Sequence, residues 1–399
     1  MNPVPIAIVS NSHAPYRLHV HQRIVREIPE IKLSSLYTHE TANAPWKFDE
    51  AADIGAVQFG KGEGTDHQSD LSGIPREWKR GGKIIDWMTE NKIRFVAIMG
   101  YNDAGRVRII RHCKKNNIPC WLWGDSNILG DRATGAKRII KSLVVRKIVR
   151  SCAGIFCCGR LGREYFLKYG AKPDRILDFP VEPNYELIQK LPPIQIEQTR
   201  QRFNLPADRR RLVFSGRLAT VKRADLLIDA FARIAAQRAN WDLLLIGDGP
   251  LKQELQSRVP PDLMGRVFWT GFIDDQTTVS ALYRCGDVLV LPSDYEPWAL
   301  VINEAAAAGM AIVASDVVGA AAELVRDNVN GRLFPHGNLA ALTNCLLDVT
   351  DPANINQMKS ASAPVLADWR SRGDPVAGFR QALVLSGVIS TANDDGVSG

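Results

Sequence analysis

A chain of 399 residues is long enough for two or three domains with buried cores. Its 45% hydrophobic and 23% charged content belongs to a globular protein rather than a disordered or fibrous one. No apolar run approaches the roughly 20 residues that span a bilayer, and the formal net charge of +7 comes without any recognised nucleic-acid-binding module, so nucleic acid is not an expected partner.

From the N-terminus, MNPVPIAIVSNS lacks a basic leader and reads as a first strand rather than a secretory signal. Apolar runs then alternate with helical patterns. Strands are predicted at Ile6–Ser10, Lys32–Tyr37, Phe95–Met99, Cys120–Trp123 and Gly154–Cys158, the pattern of a parallel sheet covered by helices. His13 follows the first strand directly, where it can orient a hydroxyl or a sugar; a loop histidine bonded to backbone is the alternative. Arg17, one turn later, suits an acceptor phosphate or a local carboxylate. Lys61 to Pro75 is polar and glycine-rich and reads as a loop. Asp125 and Asn127 follow another strand and are candidate acceptor contacts, with helix capping an equal reading for Asp125.

Much of the positive charge lies in Arg132 to Arg150. Ile139, Ile140, Leu143, Val144 and Ile148 form one side of this amphipathic helix, flanked by Lys137, Arg138, Lys141, Arg146, Lys147 and Arg150. Either the apolar side packs on the sheet with its charges solvated, or the helix lies on an anionic membrane surface. The seven cysteines contain no C-x-x-C pair and point to a reducing compartment without a metal, and the adjacent Cys157 and Cys158 read as reduced core residues. Asp178 to Pro193 carries four prolines with weak periodicity, and residues 183–209 read as an interdomain linker between a first domain, 1–182, and a second, 210–370.

The second domain opens with a strand at Leu212–Gly216, then a loop bearing Arg217 and Lys222, then a helix from about Ala224 to Gln237. Doubly wound sheets collect ligands on such loops, where arginine offers a planar fork and lysine a mobile point charge to phosphate. Gly247 and Gly249 let the backbone approach a flat ligand closely. A strand at Asp287–Leu291 runs into a Pro-Ser-Asp turn, and Pro297 is suited to the first turn of the next helix, whose free N–H groups face an anion. Glu296 and Glu304 have seven residues between them. If both lay in that helix they would stand about 12 Å apart, beyond the roughly 5 to 9.5 Å of paired hydrolytic carboxylates. Two hydroxyl-gripping carboxylates on one extended donor fit better.

The segments SGRL…VKR, LLLIGDGP, VFWTGF, CGDVLVLPSDYEPWALVINEAAAAG, IVASDVVGAAAELV and NGRLFP, in that order over Arg211 to Val349, resemble the retaining nucleotide-sugar-dependent glycosyltransferases of the GT-B fold, family four. The likeness extends weakly to His13–Arg17 and Tyr169–Ile176. It implies an α/β chain of two Rossmann-like doubly wound parallel-sheet domains facing across a cleft, the first for the acceptor and the second for the donor. Residues 371–399 would be a helix crossing back onto the first domain, with a tail. Arg217 and Lys222 would neutralise the donor diphosphate, Glu296 would contact the transferred sugar, and His13 would complete the catalytic set. Glu304 would hold the ribose, Gly247, Gly249, Gly271 and Phe272 would border the base, and the amides of Trp298, Ala299 and Leu300 would cap the diphosphate. The family usually has glycine at position 299, so Ala299 is expected at negative φ.

No metal and no cofactor are implied; the donor would be a UDP- or GDP-sugar. The acceptor would be a glycan or a lipid-linked intermediate of cell-surface polysaccharide or lipopolysaccharide synthesis, with the chain cytoplasmic or peripheral on the inner face of the plasma membrane. A nucleotide-sugar epimerase of the same fold and a non-catalytic sugar-nucleotide-binding protein are the rival readings. A nicotinamide dehydrogenase is excluded, since Lys252 stands where a third glycine would be needed.

Overall fold

The computed structural model describes residues 2–41, 52–65, 68 and 70–390. The chain divides into two compact units, one running to Val181 and resuming at Gly373, the other spanning Glu182–Arg372.

The first unit contains β1 (Val4–Ser10), α1 (Pro15–Glu27), β2 (Ile31–Tyr37), β3 (Ala56–Gln58), α2 (Ile74–Glu90), β4 (Val96–Met99), α3 (Ala104–Lys115), β5 (Cys120–Gly124), α4 (Gly135–Val149), β6 (Gly154–Cys157), α5 (Gly159–Lys168) and β7 (Ile176–Asp178). Its strands form one parallel sheet in the order β3-β2-β1-β4-β5-β6-β7. The central strands are buried along their length, which is why they read as continuous apolar runs instead of alternating patterns. Strand order reverses between β1 and β4, paired through Ala7–Val96 and Val9–Ile98. Connections leave that point in opposite directions and open a crevice at the C-terminal edge.

Buried charges tie this edge together. Arg106, only 1% exposed, bonds Asp103, Asn11 and Thr38, and so joins the ends of β4, β1 and β2. Arg80 bonds Glu77, Glu63 and His39. Burial, followed by the nearby Arg80, lowers the His39 pKa to about 4, and burial lowers that of Arg106 to about 10. Part of the polar segment Lys61 to Pro75 lies outside the described residues. Its last residues are not loop, because a 3-10 turn at Leu71–Gly73 leads into α2 with Pro75 in the first turn.

On α4 the packed stripe differs from the expected one. Val145, Ile148 and Val149 are buried, while Ile139, Ile140, Leu143 and Val144 are 51–66% exposed. The helix therefore docks through its C-terminal half and leaves most of its aliphatic side uncovered.

The second unit contains α6 (Tyr185–Gln189), α7 (Pro193–Arg202), β8 (Arg210–Ser215), α8 (Ala224–Ile234), β9 (Trp241–Ile246), α9 (Lys252–Arg258), β10 (Val267–Trp269), α10 (Gln276–Arg284), β11 (Val288–Leu291), α11 (Leu300–Ala307), β12 (Ala311–Ser315), α12 (Ala321–Leu324), β13 (Gly331–Phe334), α13 (Leu339–Val349) and α14 (Ile355–Arg372). Its parallel sheet runs β10-β9-β8-β11-β12-β13, the same reversing order as the first unit. Residues 183–209 are not an open linker. Asn184 caps α6 by accepting from the Leu187 N–H at 3.0 Å, Pro192 and Pro193 start α7, and Tyr185, Ile188, Leu191 and Leu205 are buried. Prolines that looked like breaks mark a helix start, where the missing N–H costs nothing.

The last helix, α15 (Pro375–Leu385), belongs to the first unit. Phe379 packs among Phe95, Phe156 and Phe179 at ring separations of 5.6 to 5.8 Å, and Arg23 reaches Asp374 at 2.8 Å. Gly378 lies so close to β7 that a Cβ there would stand 2.0 Å from the Asp178 carbonyl oxygen. Gly378→Ala should therefore push α15 off the sheet, an overpacking that costs about 1–3 kcal/mol. Urea denaturation should show the loss, with Gly265→Ala, which meets nothing within 4 Å, unchanged as control.

Candidate active site

In the second unit, strand order reverses between β8 and β11, paired through Val288–Leu212 and Leu289–Val213. The loops after these two strands meet across the reversal. The Asp294 N–H donates to the Val221 carbonyl at 2.8 Å. Lys222, ending a 3-10 turn at Thr220–Lys222, places its ammonium 2.5 Å from Glu296 Oε1, which also accepts from the Ser293 hydroxyl at 2.8 Å. Two residues singled out from distant stretches of sequence are thus in contact. Arg223, in the left-handed region at φ 52°, braces the junction through Asp225 and Asp294. Arg217 lies in the same β8–α8 loop and is exposed; its carbonyl accepts from the Ala219 N–H at 2.9 Å, and its guanidinium makes no hydrogen bond or ion pair among the described residues.

Gly247 and Gly249 have a nearer neighbour than any ligand. A Cβ on Gly247 would sit 2.1 Å from the Gly216 carbonyl oxygen, and one on Gly249 would sit 2.4 Å from that of Leu218. The Leu218 N–H donates to the Asp248 carbonyl at 2.9 Å, and Gly247 N–H to that of Gly271 at 3.1 Å. These glycines let the β9–α9 loop lie directly on the loop that carries Arg217 and Lys222. Phe272, next to Gly271, is 45% exposed on the same edge.

Helix α11 begins at Leu300, three residues later than Pro297 suggested. Glu296 accepts from Gly319 N–H at 3.1 Å and Trp298 accepts from Ala320 N–H at 2.7 Å, which holds 296–298 extended beside the following loop. The Trp298 indole is buried, donates to Asn303 at 3.1 Å and packs on Trp369 at 5.5 Å. Only Ala299 is left to make the turn, and it does so at φ 80°, ψ 82°. The expected negative φ is overturned, because both flanks are fixed; such a conformation costs a non-glycine residue on the order of 1–3 kcal/mol. The first N–H groups of α11 have no intrahelical partner by helix geometry.

Only Glu304 lies in α11, so the separation estimated for two carboxylates on one helix does not apply. Glu304 is buried and accepts from Tyr283 OH at 2.9 Å and Gln276 Nε2 at 3.1 Å; Tyr283 in turn lies 2.7 Å from Ser215 Oγ. Burial raises its pKa against the opposing effect of those two bonds. Met310 is buried just before β12.

His13 belongs to the first unit, in the turn between β1 and α1. It is buried, edge-on to Tyr37 at 6.0 Å. Arg17 donates to the Ser12 carbonyl at 2.5 Å rather than to a carboxylate. His21, unremarked in the sequence, is fully buried with Nδ1 2.8 Å from Ser35 Oγ. Burial, then Arg17 and His13, lowers its pKa to about 3. Asn127, not Asp125, does the capping, accepting from Gly130 N–H at 3.0 Å.

Residues 209–351 match the family model described as Glycosyl transferases group 1. The chain is 29% identical over 195 residues to an alpha-D-kanosaminyltransferase of Streptomyces kanamyceticus, covering 47% of this chain and 49% of that one. It is 35% identical over 107 residues to a GDP-mannose-dependent alpha-(1-6)-phosphatidylinositol dimannoside mannosyltransferase of Mycobacterium tuberculosis, 26% of each. The chain thus spans half or less of the length of these curated relatives. A solved structure of Anabaena HepE in complex with UDP and glucose shares the fold at TM-score 0.70 and 19% identity, covering 96% of this chain and 100% of that one. The fold is that of the GT-B glycosyltransferases, with a parallel-sheet α/β arrangement in each unit. Residues 209–351 are a glycosyl transferases group 1 domain.

Two outcomes follow from this geometry. Ala299→Gly should raise the urea midpoint or leave it unchanged, whereas Leu300→Gly should lower it. For Glu304, both folded and unfolded chains are protonated below the ordinary carboxylate value. Above it the unfolded chain releases its proton first, so wild-type stability falls with rising pH until the raised folded value is passed. Glu304→Gln lacks that loss, and its stability relative to wild type should increase between pH 4 and pH 8; a constant difference contradicts the assignment.

Proposed function

We propose that this chain is a retaining glycosyltransferase that moves a sugar from a nucleoside-diphosphate sugar to a hydroxyl of a glycan or lipid-linked acceptor in cell-surface polysaccharide or lipopolysaccharide synthesis. The supporting observation is the Lys222–Glu296 contact across the strand-order reversal, with the exposed Arg217 on the same loop. Lys222 and Glu296 balance each other's charge. Arg217 therefore supplies the net positive charge that attracts the diphosphate, and Lys222 joins it as negative charge grows on the departing group.

Breaking the bond from sugar to phosphate leaves positive character at the anomeric carbon and an extra negative charge on the diphosphate. Fixed cations and the amides of Trp298, Ala299 and Leu300 stabilise that charge more than the ground state, which lowers the barrier. Glu296 holds hydroxyls of the transferred sugar and Glu304 those of the ribose, while Gly247, Gly249, Gly271 and Phe272 border the base. His13, in the first unit, orients the acceptor hydroxyl or the sugar. Displacement on the face the leaving group vacates would retain the anomeric configuration. The relatives' names include both GDP-mannose and, through a solved fold, UDP, so UDP- and GDP-sugars are the donors to test. The same reading puts the chain at the inner face of the plasma membrane, against anionic lipid through residues 132–150.

Thermal-shift titration with UDP, GDP, ADP, TDP and CMP should show a selective rise for one nucleoside diphosphate. Lys222→Ala should then lower kcat more than it raises donor KM, by on the order of 3 kcal/mol in activation free energy. No shift with any nucleotide would overturn the reading.

A further inference from the structure

Helix α4 carries four exposed large aliphatic residues within six positions. Ile139 and Leu143, with Ile140 and Val144, lie at helical spacing on one side, each more than half exposed. One turn on, the same side carries Lys147 and Arg150, and Lys137, Arg138 and Arg146 are exposed around it. The helix has no acidic residue. Lys141 is the exception among its cations: it pairs with Asp131 at 2.8 Å, alongside Lys168 at 2.5 Å, and so belongs to the packed side. Beside the aliphatic face, Ile140, Val144 and Val145 with Tyr101 line a groove of about 410 Å³.

We infer that α4 inserts its Ile139, Ile140, Leu143 and Val144 face into the acyl boundary of an anionic bilayer, with Lys137, Arg138, Arg146, Lys147 and Arg150 against the headgroups. Charge selects this occupant. A second copy of the chain would set cation against cation with no carboxylate on α4 to offset them, whereas anionic lipid neutralises all five. Apolar insertion and a polybasic rim are each marginal alone and hold a protein at a membrane together. The long stems of Lys147 and Arg150 let their charges reach headgroups while the helix turn before them sits deeper. This sharpens the contact with anionic lipid proposed above for residues 132–150 to insertion. It also makes the groove beside Tyr101, at the C-terminal end of β4, the place for an acyl chain of a lipid-linked acceptor; that last point rests on the transferase reading.

The full chain would be floated with vesicles of phosphatidylcholine alone or mixed with phosphatidylglycerol. Binding is expected only to the mixed vesicles. Ile140→Ser with Leu143→Ser, and separately Arg138→Glu with Lys147→Glu, should each reduce the bound fraction on the order of tenfold or more. All four positions are exposed, and circular dichroism and the nucleotide-induced thermal shift should be unchanged in both variants, which separates failure here from failure of the transferase reading. Absence of flotation, or flotation that survives the serine pair, overturns the inference. So does a concentration-dependent dimer in sedimentation that the serine pair dissolves, since a second copy would then own the face.

Discussion

Where strand order reverses in the second unit, two loops distant in sequence are joined by a backbone hydrogen bond, from Asp294 to Val221, and by two ion pairs, Lys222 with Glu296 and Arg223 with Asp294. Everything proposed for the site depends on that junction. It converts charges that are merely present in the sequence into groups at a fixed separation, and it does so at the sheet edge where helix amides also point. Arg223 and Asp294 brace it from one side, and the β9–α9 loop lies on it from the other.

The two units share a strand order but secure their C-terminal edges differently. In the first, buried arginines are the ties. Arg106 and Arg80 are committed to Asp103, Glu77 and Glu63 and hold the ends of β1, β2 and β4 together. In the second, close backbone contacts at Gly216, Gly247 and Gly249 hold the loops together with the Lys222–Glu296 and Arg223–Asp294 pairs, and Arg217 stays exposed for an incoming anion. Both edges are thus tied by charge pairs, and the second also keeps a cation available. Glu304, buried in the second unit, accepts from the neutral donors Tyr283 and Gln276.

Much of this was legible in the sequence where a local pattern carried the information. The apolar runs at β1, β4, β5, β6, β8 and β11 declared themselves, because strands buried on both faces need unbroken hydrophobicity, and β2 was legible despite its exposed Lys32. Arg217, Lys222 and Glu296 were found from their positions after strands. What escaped depended on contacts between distant segments. Nothing local shows that Trp298 and the 317–320 loop fix the chain on one side of Ala299 and force it to positive φ. The prolines near 192 suggested a break although the buried side chains around them make helices of the second unit. The stripe of α4 was visible, but which part of it packs is decided by the sheet beneath. His21 and the Arg80–Arg106 network gave no signal, since their partners come from β2, α2 and several separate loops.

The central claim is that the β8–α8 and β11–α11 loops together receive a nucleoside diphosphate. Amide hydrogen exchange of the full chain, with and without the nucleotide that stabilises it, tests this most directly. The account requires new protection concentrated at residues 216–223 and 296–303. Protection confined to the first unit, or spread evenly with those two stretches unchanged, would contradict it.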